Sequence, residues 1–146
     1  DMALFLFTKA IINNESIKVF NNGNMIRDFT YVDDIVESLF RVINKPAFSN
    51  KAFDTNNPDP KSSWAPYRIF NIGNSNPVKL MDYIEAIENK LGIKAKKIML
   101  PMQPGDVPET VSDTNKLEEW IDFKPNTSIN KGISLFIDWF KDYYDY

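Results

Sequence analysis

Arg27-Asp28-Phe29-Thr30-Tyr31-Val32-Asp33-Asp34-Ile35-Val36 is the stretch whose reading decides the fold. It follows a turn signal, Asn21-Asn22-Gly23-Asn24, crosses a short β-like run and opens a helix. Asp33 and Asp34 are N-cap candidates, and Glu37, three residues after Asp34, reads as a capping-box variant. Ile35, Val36, Leu39, Phe40, Val42 and Ile43 recur at helical spacing, and Pro46 marks the stop. Arg27 is fixed at the edge of this unit, behind a glycine turn. Its planar fork donates two hydrogen bonds at once, which suits a phosphate or a carboxylate. The alternative is an ion pair with Asp28 or another surface acid.

Working outward, Met2 to about Ile12 reads as a buried helix, apolar nearly all round. It lacks the basic flank and small-residue cleavage site of a signal peptide, and it is far short of the ~20 residues that span a bilayer. Together with a first residue that is not Met, it suggests a piece of a longer chain. Ser16 to Phe20 alternates as a strand. Residues 46–66, with Pro46, Pro58, Pro60 and Pro66, form one long loop, either functional or simply solvated. Arg68 to Ile72 reads as a short strand closed by Gly73. Leu80, Ile84, Ile87 and Leu91 make a helical stripe with Gly92 as its C-cap. Lys96 to Leu100 is strand-like, and Pro101-Met102-Gln103-Pro104-Gly105-Asp106 cannot be regular structure. Asp113 is placed to cap a short helix ending near Trp120. Ser128 is placed to cap a last helix through Ile129, Ile133, Phe136, Ile137 and Phe140. The pattern is mixed α/β, without internal repeats.

The 146 residues fit one domain, and 43% apolar with 14% aromatic residues suffice for a packed core. Net charge is −3, with acids and bases interspersed, which argues against a nucleic-acid footprint. The chain has no cysteine and no histidine. That excludes disulfides, thiolate chemistry, Ser-His-Asp and Cys-His catalysis and most zinc sites. No metal ligands and no membrane segment are expected, and a cytoplasmic setting is the default.

The Arg27–Val36 stretch resembles a signature of extended short-chain dehydrogenase/reductases that act on nucleotide sugars. Asp59-Pro60-Lys61-Ser62-Ser63-Trp64-Ala65-Pro66-Tyr67-Arg68-Ile69-Phe70-Asn71-Ile72-Gly73-Asn74 and Leu100-Pro101-Met102-Gln103-Pro104-Gly105-Asp106-Val107-Pro108-Glu109-Thr110 resemble segments of UDP-glucuronate 4-epimerases within that NAD-dependent epimerase/dehydratase group. The resemblance runs over nearly the whole chain. It implies a small mixed α/β substrate-binding portion, residues 1–146, lacking the N-terminal Rossmann half. The whole enzyme would turn UDP-glucuronate into UDP-galacturonate through a 4-keto sugar, with NAD bound by the missing half and none in this portion.

Two features of such enzymes are indeed not found in the sequence. Glycines 23, 73, 92, 105 and 132 cannot form the Gly-x-x-Gly-x-x-Gly turn that cradles a cofactor pyrophosphate. None of Tyr31, Tyr67, Tyr83, Tyr143, Tyr144 or Tyr146 has a Lys four residues on, so no Tyr-x-x-x-Lys pair exists. No catalytic residue is therefore assigned to this portion.

For substrate, the resemblance implies a backbone contact to the uracil near Lys18 and stacking of the base on Phe20. It puts Arg27 on the diphosphate, and Gln103 and Asp106 on the diphosphate and ribose. Gln103 stands where related epimerases carry Arg, so that second clamp is weaker. Read from the residues alone, Phe20 is equally a core residue at a strand end, and Pro104-Gly105-Asp106 equally a plain turn. The 46–66 loop would be a lid near the sugar. Asp122 falls where the family has a helix-ending glycine, and Asp tolerates the left-handed conformation better than most residues. The resemblance also implies that the helix after Tyr31 and the Arg68–Ile72 strand pack on the Rossmann half. Ile35, Val36, Leu39 or Phe40 should then be partly uncovered here and invite self-association. The competing readings are a related dehydratase or decarboxylase, and a stand-alone, non-catalytic nucleotide-sugar-binding module.

Overall fold

A computed structural model describes residues 2–146. The elements run α1 (Ala3–Ile12), β1 (Ser16–Val19), a 3-10 turn (Phe20–Gly23), β2 (Ile26–Arg27), α2 (Val32–Asn44), β3 (Val78–Lys79), α3 (Leu80–Leu91), β4 (Lys96–Met99), α4 (Asn115–Ile121) and α5 (Ile129–Tyr144). The mixed α/β class is as expected. The chain divides into two compact units. The first comprises the stretch up to Phe29 with Asn76–Val111 and Thr127–Tyr146; the second comprises Thr30–Ser75 and Ser112–Asn126.

In the first unit β1 and β4 pair in parallel, Ser16 opposite Lys96 through Val19 opposite Met99. β2 and β3 pair antiparallel, Ile26 opposite Lys79 and Arg27 opposite Val78. Ile17 and Val19, the inward residues of β1, join Ile11 of α1, Tyr83, Ile84 and Ile87 of α3, and Ile133 and Ile137 of α5 in one buried cluster. Phe29 stacks on Tyr83 with ring centroids 4.1 Å apart, and burial pushes the Tyr83 hydroxyl above its ordinary range. α3 ends where the sequence places its stop: Gly92 takes φ 69°, a left-handed cap that glycine adopts without a Cβ penalty. Ser128 accepts the Lys131 N–H and caps α5.

Glu88 is buried although charged, its side chain 4% exposed. It accepts from Lys97 Nζ, from Lys94 Nζ at 2.9 Å and from the Ala95 N–H at 3.0 Å. Burial alone would raise its carboxyl; the hydrogen bonds from Lys97, Lys94 and Ala95 outweigh burial and hold it at about 2. The network ties the end of α3 to the start of β4.

In the second unit α2 begins one residue before the expected caps. Tyr31 is the N-cap residue, and Asp33 and Asp34 lie inside the first turn, where carboxylates meet the helix's positive end. Glu37 does not reach back as a capping box; it pairs with Arg41 at 2.6 Å, one turn on. Arg41 Nη1 also donates to the Asp122 carbonyl at 3.0 Å, and its guanidinium lies 4.9 Å over the Phe123 ring, so a cation closes the end of α4. Asp122 itself is left-handed at φ 50°, as expected of the residue standing in the glycine position.

The Arg68–Ile72 strand does not form. Its β-pairing among the described residues is one isolated bridge, Ser62 with Arg68. A strand exists only against a partner ladder, and an apolar run cannot supply its own. The cap of α4 shifts too. Thr114 is the N-cap residue, while the Asp113 carboxylate accepts from the Asn115 N–H at 3.1 Å. Residues 46–66 are irregular, closed by Asx turns such as Asp59 Oδ1 to the Lys61 N–H at 2.9 Å.

Candidate functional site

All five expected site residues, Lys18, Phe20, Arg27, Gln103 and Asp106, fall in the first unit. Lys18 is exposed on β1, opposite Ile98. Phe20 is half-buried and opens the 3-10 turn. That turn bends sharply because Asn21 and Asn22 both take φ 49°, a conformation Asn accepts more readily than most residues. Gly23 follows at φ 81°, a left-handed conformation that strains any side chain, and a Cβ there would also displace Met81, whose Sδ would stand 2.7 Å away. The turn is latched to the end of β4. The Leu100 N–H donates to the Val19 carbonyl at 2.9 Å, and the Asn22 N–H to the Leu100 carbonyl at 3.0 Å.

This parallel pairing brings the 101–110 segment past Arg27. The Ile26 N–H donates to the Pro108 carbonyl and the Thr110 N–H to the Ile26 carbonyl. Arg27 Nη2 lies 2.8 Å from Asp106 Oδ1 and 2.7 Å from the Val107 carbonyl. Its Nη1 donates to the Pro108 carbonyl at 3.2 Å and to the Ile26 carbonyl at 2.9 Å. The guanidinium is thus held in place by backbone, with 22% of the side chain exposed against 35% for Asp106. Gln103 is exposed, and its carbonyl accepts the Asp106 N–H at 3.1 Å across the turn containing Gly105. The structure therefore joins Arg27 to Asp106, and Gln103 to Asp106 through backbone. Both readings of Arg27 meet here: it does pair with a surface acid, and that acid is itself an expected site residue.

Sequence reasoning missed two clusters. The Glu88 network had a readable signal, because position 88 follows Ile84 by one turn and so falls on the buried face. The other is a cavity of about 440 Å³ in the second unit, walled in part by Arg68, Phe70 and Trp120. Nothing in the sequence links positions 68 and 120.

The profile of the GDP-mannose 4,6 dehydratase family matches residues 4–136. The chain belongs to this family. Protein CapI of Staphylococcus aureus is 57% identical over 99% of the chain, which spans 43% of that protein. A probable UDP-glucuronate 4-epimerase of Rhizobium meliloti is 41% identical over 99% of the chain and 42% of its own length. The chain thus spans less than half the length of these relatives. Its fold is that of part of the nucleotide-sugar epimerases. The UDP-glucuronic acid 4-epimerase of Bacillus cereus in complex with UDP-glucuronic acid and NAD superposes with a TM-score of 0.79 at 24% identity, over 99% of this chain and 41% of that one.

A dinucleotide does not fit the family member's portion seen here. Of the glycines at positive φ, Gly23 follows the 3-10 turn, Gly92 closes a helix and Gly105 turns a loop, and none opens a helix behind a strand. Among the described residues no group of acids could hold a metal ion, and no helix is long and apolar enough to cross a membrane.

Proposed function

We propose that residues 1–146 are the UDP-sugar-binding part of an NAD-dependent UDP-glucuronate 4-epimerase, acting in the cytoplasm. The observation that carries this reading is the Arg27–Asp106 pair, fixed by carbonyls of the 101–110 segment beside the β1 turn that bears Phe20. Relatives named for UDP-glucuronate 4-epimerase activity support the choice of sugar. The Phe20 ring stacks on uracil, worth ~1–3 kcal/mol by analogy with single-strand binders, and backbone near Lys18 meets the base edge. Arg27 exchanges its bonds to Asp106 and the Val107 carbonyl for the diphosphate, a charge-assisted contact worth roughly 1.5–3 kcal/mol. Asp106 then accepts from a ribose hydroxyl, and Gln103 gives the diphosphate a second, uncharged donor. No chemical step is assigned to this chain, because the cofactor site is not among its residues. The apolar face of α2 is covered in a longer protein, and in this chain alone it drives self-association.

A second reading, a dehydratase, is favoured by the description of the matching family profile. The test is a product assay with UDP-glucuronate and NAD on the longest natural chain that carries this sequence. UDP-galacturonate is the expected product. Loss of carbon dioxide or a 4-keto-6-deoxy product would replace the epimerase by a decarboxylase or dehydratase. UDP binding without turnover would leave a non-catalytic binding module.

A further inference from the structure

We propose that Glu88 is a positioning residue for the nucleotide-sugar edge: by gripping Lys97 and the Ala95 N–H it sets the register of β4 on β1, and so places Gln103 and Asp106 beside Arg27. The inference rests on the reading of that edge given above and adds a residue that touches no ligand. All of these residues lie in the first unit. β4 buries nothing that could fix its own register. None of its four residues is buried, and Ile98 and Met99 are 48% and 45% exposed. β1, by contrast, sends Ile17 and Val19 into the core. A strand with a buried face is held in register because a slip carries its apolar set to water. β4 lacks that lock, and among the described residues it pairs with β1 alone, over four residues. A two-stranded pairing this short is marginal by itself.

Glu88 supplies the lock. It sits on α3, which Ile84 and Ile87 fix in the core. Lys97 Nζ donates to it from within β4, and the Ala95 N–H donates at 3.0 Å from just before the strand. Lys94 is 76% exposed and so contributes less. Sliding β4 would strip a buried carboxylate of its partners, which is costly. From Lys97 the path to the site is a run of defined bonds. Lys97 stands opposite Ile17 and Met99 opposite Val19. The Leu100 N–H then donates to the Val19 carbonyl, and the Asn22 N–H to the Leu100 carbonyl. Farther along the same segment Asp106 meets Arg27 at 2.8 Å. Each residue of slip would carry Gln103 and Asp106 about 3.3 Å along the strand direction, more than that bond can absorb.

Amide hydrogen exchange in the chain reads the register without any ligand. In Lys97→Met the Leu100 and Asn22 amides should exchange about tenfold faster or more than in wild type, while those of Ile11 in α1 and Ile137 in α5 change far less. Lys97→Arg keeps a cation for Glu88 and should restore most of the protection. UDP should bind Lys97→Met several-fold more weakly and Lys97→Arg nearly as wild type. Ile137→Val, which loosens the same core from α5, should leave UDP affinity unchanged. Wild-type exchange at Leu100 and Asn22 in Lys97→Met would overturn the proposal, as would faster exchange spread equally over α1 and α5. Local loss of protection with wild-type UDP affinity would overturn the positioning role. A wild-type chain that does not bind UDP would refute the nucleotide-sugar reading instead, and exchange alone would then decide whether Glu88 sets the register. If Lys97→Met fails to fold, Lys97→Gln, which keeps a neutral donor, is judged by the same outcomes.

Discussion

Helices α2 and α3 have 13 and 12 residues, and each carries an apolar stripe at helical spacing. In α3 the stripe is the core of the first unit: Tyr83, Ile84 and Ile87 are buried with α1, β1 and α5 residues around them. In α2 of the second unit the arrangement is inverted. Val36, Leu39, Phe40 and Ile43 are between 48% and 76% exposed, while its buried positions are polar, Asp34 and Ser38. Ser38 satisfies itself by donating to the Asp34 carbonyl at 2.7 Å. The lesson is that helical periodicity reports an amphipathic helix and is silent on what covers its apolar side. One stripe stabilises a fold; the other is an exposed apolar surface.

The strongest way to break this comparison is to truncate both stripes. Ile87→Ala should cost about 2–5 kcal/mol, because a fully buried side chain leaves a cavity. Phe40→Ala should change stability by less than about 0.5 kcal/mol, as exposed substitutions do. Chemical denaturation of both variants checks this, and equal losses would dissolve the distinction.

The end of α3 gives the next effect. The Glu88 carboxyl falls from an ordinary 4.5 to about 2 in the fold. Its contribution is therefore complete above about pH 4.5 and lost as pH falls toward 2. With the group 4% exposed, the shift corresponds to on the order of 3 kcal/mol. Glu88→Gln should lower stability at pH 7 by a few kcal/mol and flatten the profile between pH 5 and 2. An unchanged acid profile would show that the network does not hold α3 to β4.

The contrast explains how much was legible. The helices α1, α3 and α5, strands β1 and β4, the Gly92 cap and the Ser128 cap could be read because each is decided by nearby residues. The Arg68–Ile72 strand failed because a strand needs a ladder that local sequence does not contain. The expected Asp33 and Asp34 caps missed by two or three residues, since acids favour both the cap and the first turn. At the site, the residue types came from motif resemblance. The Arg27–Asp106 contact joins positions far apart in sequence and appears only once β1 and β4 are paired.

Smaller effects sharpen the picture. Val36→Ser with Phe40→Ser should leave the unfolding midpoint nearly unchanged and reduce self-association in sedimentation at high concentration. Association that persists in the double variant would assign it to another face. Asp122→Gly should stabilise by about 0.5 kcal/mol, because glycine takes the left-handed φ of 50° without a Cβ penalty. A loss of stability there would mean that the Asp122 side chain contributes more than its backbone strain costs.

The most direct test of the central claim is a calorimetric titration of UDP into the chain and into Arg27→Ala, with thermal unfolding of both in parallel. Nucleotide-sugar binding through the Arg27–Asp106 edge predicts measurable UDP affinity, weakened roughly tenfold or more in the variant for the loss of about 1.5–3 kcal/mol. Both proteins should unfold cooperatively, the variant at a lower midpoint for the loss of the Arg27 bonds to Asp106 and to the Ile26, Val107 and Pro108 carbonyls. Equal affinity in the two proteins would contradict the account and remove Arg27 from the site.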